Sequence, residues 1–313
     1  QRVRVRRTGV QVPTSDWDVV EQLTFGSMQT YRRWVPEELV EPRICRFCTR
    51  AQDELRFDDA HFIPAGLGNR SLRARYECKI CNNEFGLADD ELINLVGPMR
   101  TLLGVKKREG GVPKYRGTLF VPDRAASTEK YVGTIVGTSV REGAPGRFDL
   151  EPVDVSVNLR LVCVALARMA VHMLPVDDPV FVAARRVALQ TGAVPSLGIF
   201  RYCGQSYEGG YVRVLRDPER VLGRSVVELG YAGFCLLLPL PAATWTLENS
   251  DRLCAVLGGW KGLSTDRFLH GCIVRWAQNK RVDVRLHTSL VDPKQHERIG
   301  PVAARWIAEQ DES

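Results

Sequence analysis

Two Cys-x-x-Cys pairs constrain this chain more than any other feature of its sequence. Cys45 and Cys48 form the first pair, and Cys78 and Cys81 form the second. A tetrahedral zinc site takes four thiolates, and two pairs on tight turns supply them with little chain to close. Four unrelated buried thiols are the alternative, but the remaining members of the nine cysteines are scattered singly. The spacing therefore predicts one structural zinc ion.

The residues around these pairs include groups that a purely structural zinc site does not need. DAHFIP (59–64) and GLGN (66–69) lie between the pairs, and NNEFG (82–86) follows the second pair directly. The combined pattern C-x-x-C…AHxIP…LGN…EC-x-x-CN-x-x-FG resembles the HNH endonucleases of the ββα-metal, or treble-clef, type. In particular it resembles those members whose fold is held by four cysteines.

The resemblance implies a metal-dependent endonuclease that hydrolyses phosphodiester bonds of DNA, with double-stranded DNA as the expected partner. By its place in the pattern, His61 matches the general base, a role that suits histidine near neutral pH. Asn82 matches a ligand of a catalytic Mg²⁺ or Mn²⁺ ion, which is distinct from the zinc; its alternative role is to cap a helix N-terminus. Proteins of this kind are often bacterial restriction or anti-phage effectors.

One position departs from the wider family pattern, in which a metal-binding acidic residue or histidine often precedes the base. Ala60 stands there and cannot bind a metal. Residues i and i+2 of a strand project from the same face, so we expect Asp59 beside His61, on the metal or against the imidazole. Asp58 should face away.

Two further residues are candidates for the same site. Asp90 lies about two helical turns beyond Asn82 and could complete the metal shell, although an acidic run on a helix is more often only solvated. Asn69 ends the Gly-Leu-Gly-Asn turn, and we expect it to hold the loop or His61 by hydrogen bonds.

The formal net charge is +6, and the positive residues are clustered. Arg70 and Arg73 follow the turn, whereas Lys106, Lys107 and Arg108 lie in a glycine-rich segment after the cysteine block. Beside a nuclease site we expect these five residues to contact DNA phosphates. Solvated loops are the simpler alternative.

The hydrophobic patterns predict an α+β protein, with a small zinc-pinned nuclease module and a larger α+β C-terminal domain. We divide the chain into an N-terminal arm (1–44), the module (45–96), a basic glycine-rich linker (97–125) and the C-terminal domain (126–313). The expected helices span 17–29, 81–96, 157–174, 179–191 and 302–310. Within the module we expect strands over 55–63 and 71–77, and at the N-terminus an edge strand.

The cysteine usage bears on the cellular compartment. Nine cysteines without a secreted disulfide pattern fit a reducing environment, and no signal peptide is evident. No apolar run approaches the roughly 20 residues that span a bilayer. We therefore expect a cytoplasmic protein without a membrane partner, for which a homo-oligomer is compatible with the sequence.

Two other functions fit parts of this pattern. The module could be a catalytically silent zinc unit that binds nucleic acid or protein, with Ala60 marking a loss of metal affinity. His61 argues against this, because a pure binding module has no need of a histidine at that position. Alternatively, the C-terminal domain could sense a ligand and gate the nuclease, which nothing in the sequence tests.

The basic segment yields the first prediction. Replacing Lys106, Lys107 and Arg108 together with alanine should weaken binding similarly on unrelated DNA duplexes, because interactions with phosphates carry no sequence information. For each phosphate interaction that is removed, the salt dependence of binding should fall by about one unit of slope. Duplex-binding titrations over a range of salt concentrations measure this slope. An unchanged slope would show that the segment does not contact DNA.

Overall fold

The computed structural model describes residues 2–6, 18–25, 41–57, 60–70, 72–102, 119–122, 130–136, 140–142, 147–191, 197–202, 210–216, 225–231, 234–240, 268–274 and 281–291. Its helices are α1 (Lys79–Glu84), α2 (Gly86–Leu95), α3 (Gly97–Leu102), α4 (Leu159–Met173) and α5 (Pro179–Ala188), with a short 3-10 helix at Ala65–Leu67. Its strands are β1 (Arg2–Arg6), β2 (Asp18–Phe25), β3 (Ala60–His61), β4 (Arg73–Ala74), β5 (Leu119–Pro122), β6 (Lys130–Val136), β7 (Val140–Glu142), β8 (Arg147–Val157), β9 (Leu197–Tyr202), β10 (Gly210–Arg216), β11 (Ser225–Tyr231), β12 (Phe234–Leu240), β13 (Phe268–Val274) and β14 (Val282–Val291). The predicted α+β class is confirmed.

The described strands form antiparallel sheets. The largest has the order β13-β9-β12-β11-β10-β2, and two three-stranded sheets have the orders β1-β6-β5 and β14-β8-β7. The predicted N-terminal edge strand is confirmed, since β1 lies at the edge of its sheet. The helix predicted over 17–29 is wrong, because Asp18–Phe25 is a strand that pairs with β10. Adjacent Val19 and Val20 favour a strand once a partner edge is available.

Helix α4 lies at the centre of the fold. It packs against α2 of the cysteine module, against α5, and against β10, β11 and β12 of the large sheet. Every residue from Val162 to Met173 is buried, which is the pattern of a helix enclosed on all sides. The side chain of Asn158 caps its N-terminus by accepting hydrogen bonds from Arg160 N and Leu161 N. The helix predicted over 157–174 is thus confirmed, as is the one over 179–191.

The first cysteine turn is attached to the C-terminal end of α4. Arg46 lies between the paired cysteines, and its Nη1 donates to Val171 O at 2.7 Å, His172 O at 3.3 Å and Leu174 O at 2.8 Å. The last carbonyl groups of a helix have no partner within the helix, and a cation satisfies both their hydrogen bonds and the helix dipole. Arg46 therefore acts as a cap supplied by a segment distant in sequence.

Two further contacts connect the cysteine module with α4 and α5. Glu91 Oε2 of α2 accepts from Asn158 N at 2.9 Å, and Arg185 Nε of α5 donates to Phe47 O at 2.9 Å. Apolar residues of the module, of α4 and α5 and of the large sheet belong to one hydrophobic core. Residues outside the module, on α4 and α5, therefore bind it by these contacts.

Within the module the elements are shorter than expected. Of the strands predicted over 55–63 and 71–77, the described residues form β3 and β4, which pair with each other. The helix predicted over 81–96 begins earlier, because Cys78 is its cap, and it is interrupted at Phe85. Pro98 does not end the helical region but lies in the first turn of α3, where its missing N–H costs little.

Two sequence predictions concern residues that the structure does not describe. The helix predicted over 302–310 and the basic segment with Lys106, Lys107 and Arg108 lie outside the described residues. No helix in the described ranges has both the length and the apolar character needed to cross a bilayer.

Candidate functional site

The four cysteines of the sequence pattern converge on one point. Cys45 Sγ lies 3.8 Å from Cys81 Sγ, and Cys48 Sγ lies 3.8 Å from Cys78 Sγ. All four sulfurs lie within 4.8 Å of one another. A tetrahedron with zinc–sulfur bonds of about 2.3 Å has edges of about 3.8 Å, so the donor set and its size fit zinc. The observed separations of 3.8 Å exclude disulfides, in which the two sulfurs are about 2.05 Å apart.

Local backbone geometry places these sulfurs. The first turn closes through Thr49 N to Cys45 O and Cys45 N to Arg50 O, both at 2.9 Å. Cys78 caps α1, and its Sγ accepts from Cys81 N at 3.5 Å. Amide donors of this kind orient metal-binding thiolates and stabilise their charge.

One thiol of the cysteine group has its pKa lowered by its neighbours. The contact between the sulfurs of Cys45 and Cys81 lowers the pKa of Cys45 to about 4 and raises the pKa of Cys81. The thiolate is the form of sulfur that binds zinc. Arg50 hydrogen-bonds Cys48, and this contact raises the pKa of Arg50. A guanidinium therefore partly balances the negative charge of the sulfurs.

His61 lies on β3 and is paired with Arg73 of β4. His61 Nδ1 is 3.1 Å from Arg73 Nη1. A guanidinium only donates hydrogen bonds, so Nδ1 accepts, and a neutral ring carries its proton on Nε2. The structure thus places one of the predicted phosphate-binding arginines against the predicted base.

Asn69 holds the loop between the two strands. It is fully buried, its Nδ2 donates to Ile63 O at 2.7 Å and to Leu72 O at 3.0 Å, and its Oδ1 accepts from Leu72 N at 2.9 Å. The preceding Gly68 has φ 95°, a left-handed conformation that glycine adopts without strain. The expected loop-holding role is confirmed, and burial leaves Asn69 no direct contact with a substrate.

Behind His61 lies a buried network centred on Arg168 of α4, which is fully buried. Arg168 binds Glu77 through Nε at 3.0 Å and Nη2 at 2.9 Å, and its Nη1 binds the two oxygens of Asp89 at 2.9 and 2.8 Å. Its Nη2 also donates to His61 O and to Asn82 Oδ1, both at 3.0 Å. One guanidinium therefore joins the module's strand, its helices and α4.

Glu77 has a second partner in this network. His172 Nε2 lies 2.6 Å from Glu77 Oε2. Burial lowers the pKa of His172, so its ring is neutral at pH 7 and donates through Nε2–H. Burial raises the pKa of Glu77, but the bond from His172 and the charge of Arg168 outweigh it and lower the pKa. Glu77 is therefore the ionised partner, and His172 is a buried residue of the core.

Asp89 is the acidic residue of α2 that joins the Arg168 network, and the role of Asp90 as a metal ligand stays a prediction. Asn82 and Asp89 both accept from Arg168, whereas Asp90 is exposed. Asn82 is also not a cap, since Cys78 caps α1.

The structure brings His61, Asn82 and Arg73 into one region, with Asn69 behind the loop. Arg70 is exposed on that loop. Asp59 lies outside the described residues, so the predicted placement of its carboxylate stays a prediction. Among the residues with described side chains, the four cysteines form the only cluster of three or more His, Cys, Asp or Glu ligands close enough to share an ion.

Sequence reasoning missed Arg168, Glu77 and Asp89. One signal was present, because Arg168 and His172 are four residues apart in an otherwise apolar helical pattern. A cation enclosed by apolar neighbours requires a buried anion, so the pattern indicates an ionic partner. It does not identify which carboxylate.

Comparisons with protein-family models, with curated proteins and with solved structures found no match to this chain.

The cysteine geometry predicts one zinc ion per chain in natively purified protein, measured by elemental analysis. Cys78→Ser should lose the zinc and destabilise the module, because the free energy of zinc binding contributes to folding. Cys163→Ala is the matched control, since Cys163 is a buried thiol of α4 outside the group. Zinc-free wild type, or full zinc in Cys78→Ser, would contradict the assignment.

The buried network predicts a specific pH dependence of stability. Burial raises the pKa of Asp89 from 3.8 to about 6, against the opposing charge of Arg168. Because the folded protein binds this proton more tightly than the unfolded chain, protonated Asp89 stabilises the fold below about pH 4. This contribution disappears as the pH rises through about 6.

Denaturant unfolding of wild type and Asp89→Asn between pH 4 and 7 measures this effect. The free energy of unfolding of the wild type, relative to the variant, should fall with rising pH and then level off. A rise instead would mean that the attraction of Arg168 outweighs burial.

Proposed function

We propose that this protein is a metal-dependent endonuclease that hydrolyses DNA phosphodiester bonds through a treble-clef HNH module. The order of β3, β4 and α1 around the four cysteines is compatible with the strand–strand–helix arrangement that the sequence resemblance implies. The same proposal assigns the basic residues after the module to DNA phosphate contacts.

The observation that carries the proposal is the meeting of His61 and Asn82. His61 O and Asn82 Oδ1 each lie 3.0 Å from the same nitrogen of Arg168, so these two oxygens are at most about 6 Å apart. The sequence pattern alone pairs these residues as base and metal ligand. The His61 atom is the backbone carbonyl oxygen, so the contact places the strand that carries the base beside the Asn82 amide, and this proximity supports the pairing.

Arg73 supports a phosphate substrate. Its guanidinium occupies the Nδ1 lone pair of His61, so His61 can act as a base through Nδ1 only after Arg73 has moved away. A phosphate oxygen carries more negative charge than an imidazole nitrogen and is the better acceptor for a guanidinium. Binding of the substrate would therefore draw Arg73 to the phosphate and release the base.

The catalytic ion would be Mg²⁺ or Mn²⁺, held by Asn82 and by Asp59. Amide and carboxylate oxygens are the ligands that these hard cations prefer, and such sites often use few protein ligands together with substrate phosphate. When bound, the ion supplies stabilisation of charge on the leaving 3′ oxygen. The zinc is separate, since four thiolates leave it no open position.

His61 then takes a proton from the water that attacks the phosphorus in line. The bond to the 3′ oxygen breaks, which leaves 5′-phosphate and 3′-hydroxyl ends. Arg73 holds the phosphate, and Asn69 keeps the loop of the site in shape without touching the substrate. A positioned general base contributes about 10²–10⁴-fold to such a reaction.

A second candidate function is a zinc module that binds nucleic acid or protein without cleaving it. One observation favours it: the described side chains contain no second cluster of three or more His, Cys, Asp or Glu ligands. Ala60, which is buried, also supplies no ligand. The two candidates differ in whether cleavage requires His61 and a divalent ion.

Plasmid cleavage with Mg²⁺, with Mn²⁺ and with EDTA tests the proposal. Wild type should cleave with either ion and not with EDTA. His61→Ala should lose about 10²–10⁴-fold in rate, because the base is gone, while DNA binding survives through phosphate contacts. End-labelling of the products should show 5′-phosphates.

Asn82→Ala should also reduce cleavage, and Asn83→Ala is its matched control, because Asn83 is the adjacent and exposed amide. Cleavage by His61→Ala at the wild-type rate would exclude this mechanism. DNA binding by a wild type that never cleaves would favour the silent module.

A further inference from the structure

Arg168 contacts two of the residues that the proposed mechanism uses, His61 and Asn82, although it lies outside the cysteine module. Its Nη2 donates to His61 O on β3 and to Asn82 Oδ1 on α1. We propose that Arg168 is a positioning residue that fixes the base strand and the metal-binding amide relative to each other. This inference rests on the proposed nuclease function.

The position of Nη2 is itself fixed. Glu77 binds one edge of the guanidinium through Nε and Nη2, and Asp89 binds the other side through Nη1. The guanidinium is planar, so two carboxylates that grip different edges leave it no free rotation. The nitrogen that meets His61 and Asn82 is therefore held as rigidly as the core around it.

Arg168 acts through other residues and does not touch the substrate. It is fully buried, and its ring-face neighbour is Phe85, whose centroid is 5.3 Å from the guanidinium carbon. A lysine at this position offers one nitrogen in place of a fork, so it cannot bind both carboxylates, the carbonyl and the amide at once. Arg168→Lys therefore keeps the charge and removes the alignment.

A purely structural role is the competing explanation, and the chain offers a matched control for it. Arg213 of β10 is also buried, and its Nε donates to Glu228 Oε2 of β11 at 2.6 Å. Arg213→Lys disturbs a buried arginine–glutamate pair that lies within the large sheet rather than in the cysteine module. Loss of folding stability alone should affect both variants alike.

The experiment compares full-length, zinc-loaded wild type, Arg168→Lys and Arg213→Lys on a DNA duplex with Mn²⁺. Zinc content and unfolding curves define a temperature at which all three are folded. Arg168→Lys should lower kcat on the order of 100-fold, since small misplacements of reacting groups have effects of that size. Its KM should stay near the wild-type value, because phosphate contacts set the affinity. Arg213→Lys should keep both parameters.

Equal kcat in Arg168→Lys and wild type, or equal losses in the two lysine variants, would overturn the positioning role while leaving the nuclease function intact.

If Arg168→Lys does not fold, Asp89→Ala decides, because it keeps Arg168 but frees one side of its guanidinium. A lower kcat in Asp89→Ala that Asp89→Asn largely restores supports the role, whereas an unchanged kcat refutes it. A wild type without cleavage refutes the nuclease function and this inference together.

Discussion

The fold depends on the burial of one positive charge. Arg168 has no access to water; its charge is compensated by ionised Glu77, and Asp89 accepts two further hydrogen bonds, both residues belonging to the cysteine module. Removing one partner of such a buried pair typically costs about 3–5 kcal/mol, a large part of the roughly 5–15 kcal/mol that stabilises a domain. Loss of this ion pair would therefore destabilise both the module and α4. Apolar packing around α4 completes the same attachment.

Features set by neighbouring residues were predictable from the sequence. The cysteine spacing predicted a four-sulfur cluster, because two short turns determine where their side chains lie. The apolar periods of α4 and α5 predicted both helices, and proline limits each of them at one end. Asn69 was correctly expected to hold its loop, since asparagine commonly bonds to nearby backbone in turns.

Features set by distant partners were not predictable in this way. Strand β2 has a sequence that also fits a helix, and its conformation is decided by the edge of β10. The interruption at Phe85 divides the expected long helix, and Asp89 of the second part pairs with Arg168. The role of Arg168 depends on a contact across 86 residues of sequence, which no local pattern records.

The separation of Arg168 from the module has a consequence for biosynthesis. A ribosome adds about 5–20 residues per second, so Arg168 is incorporated roughly 4–17 s after Asn82. During that interval the cysteine turns can already take up zinc, yet Glu77 and Asp89 lack their counter-charge and Arg46 has no helix end to cap. The nascent module is therefore incomplete until α4 has emerged. If the module is a nuclease, this order of events delays its competence until the chain is long enough to contain its own α4.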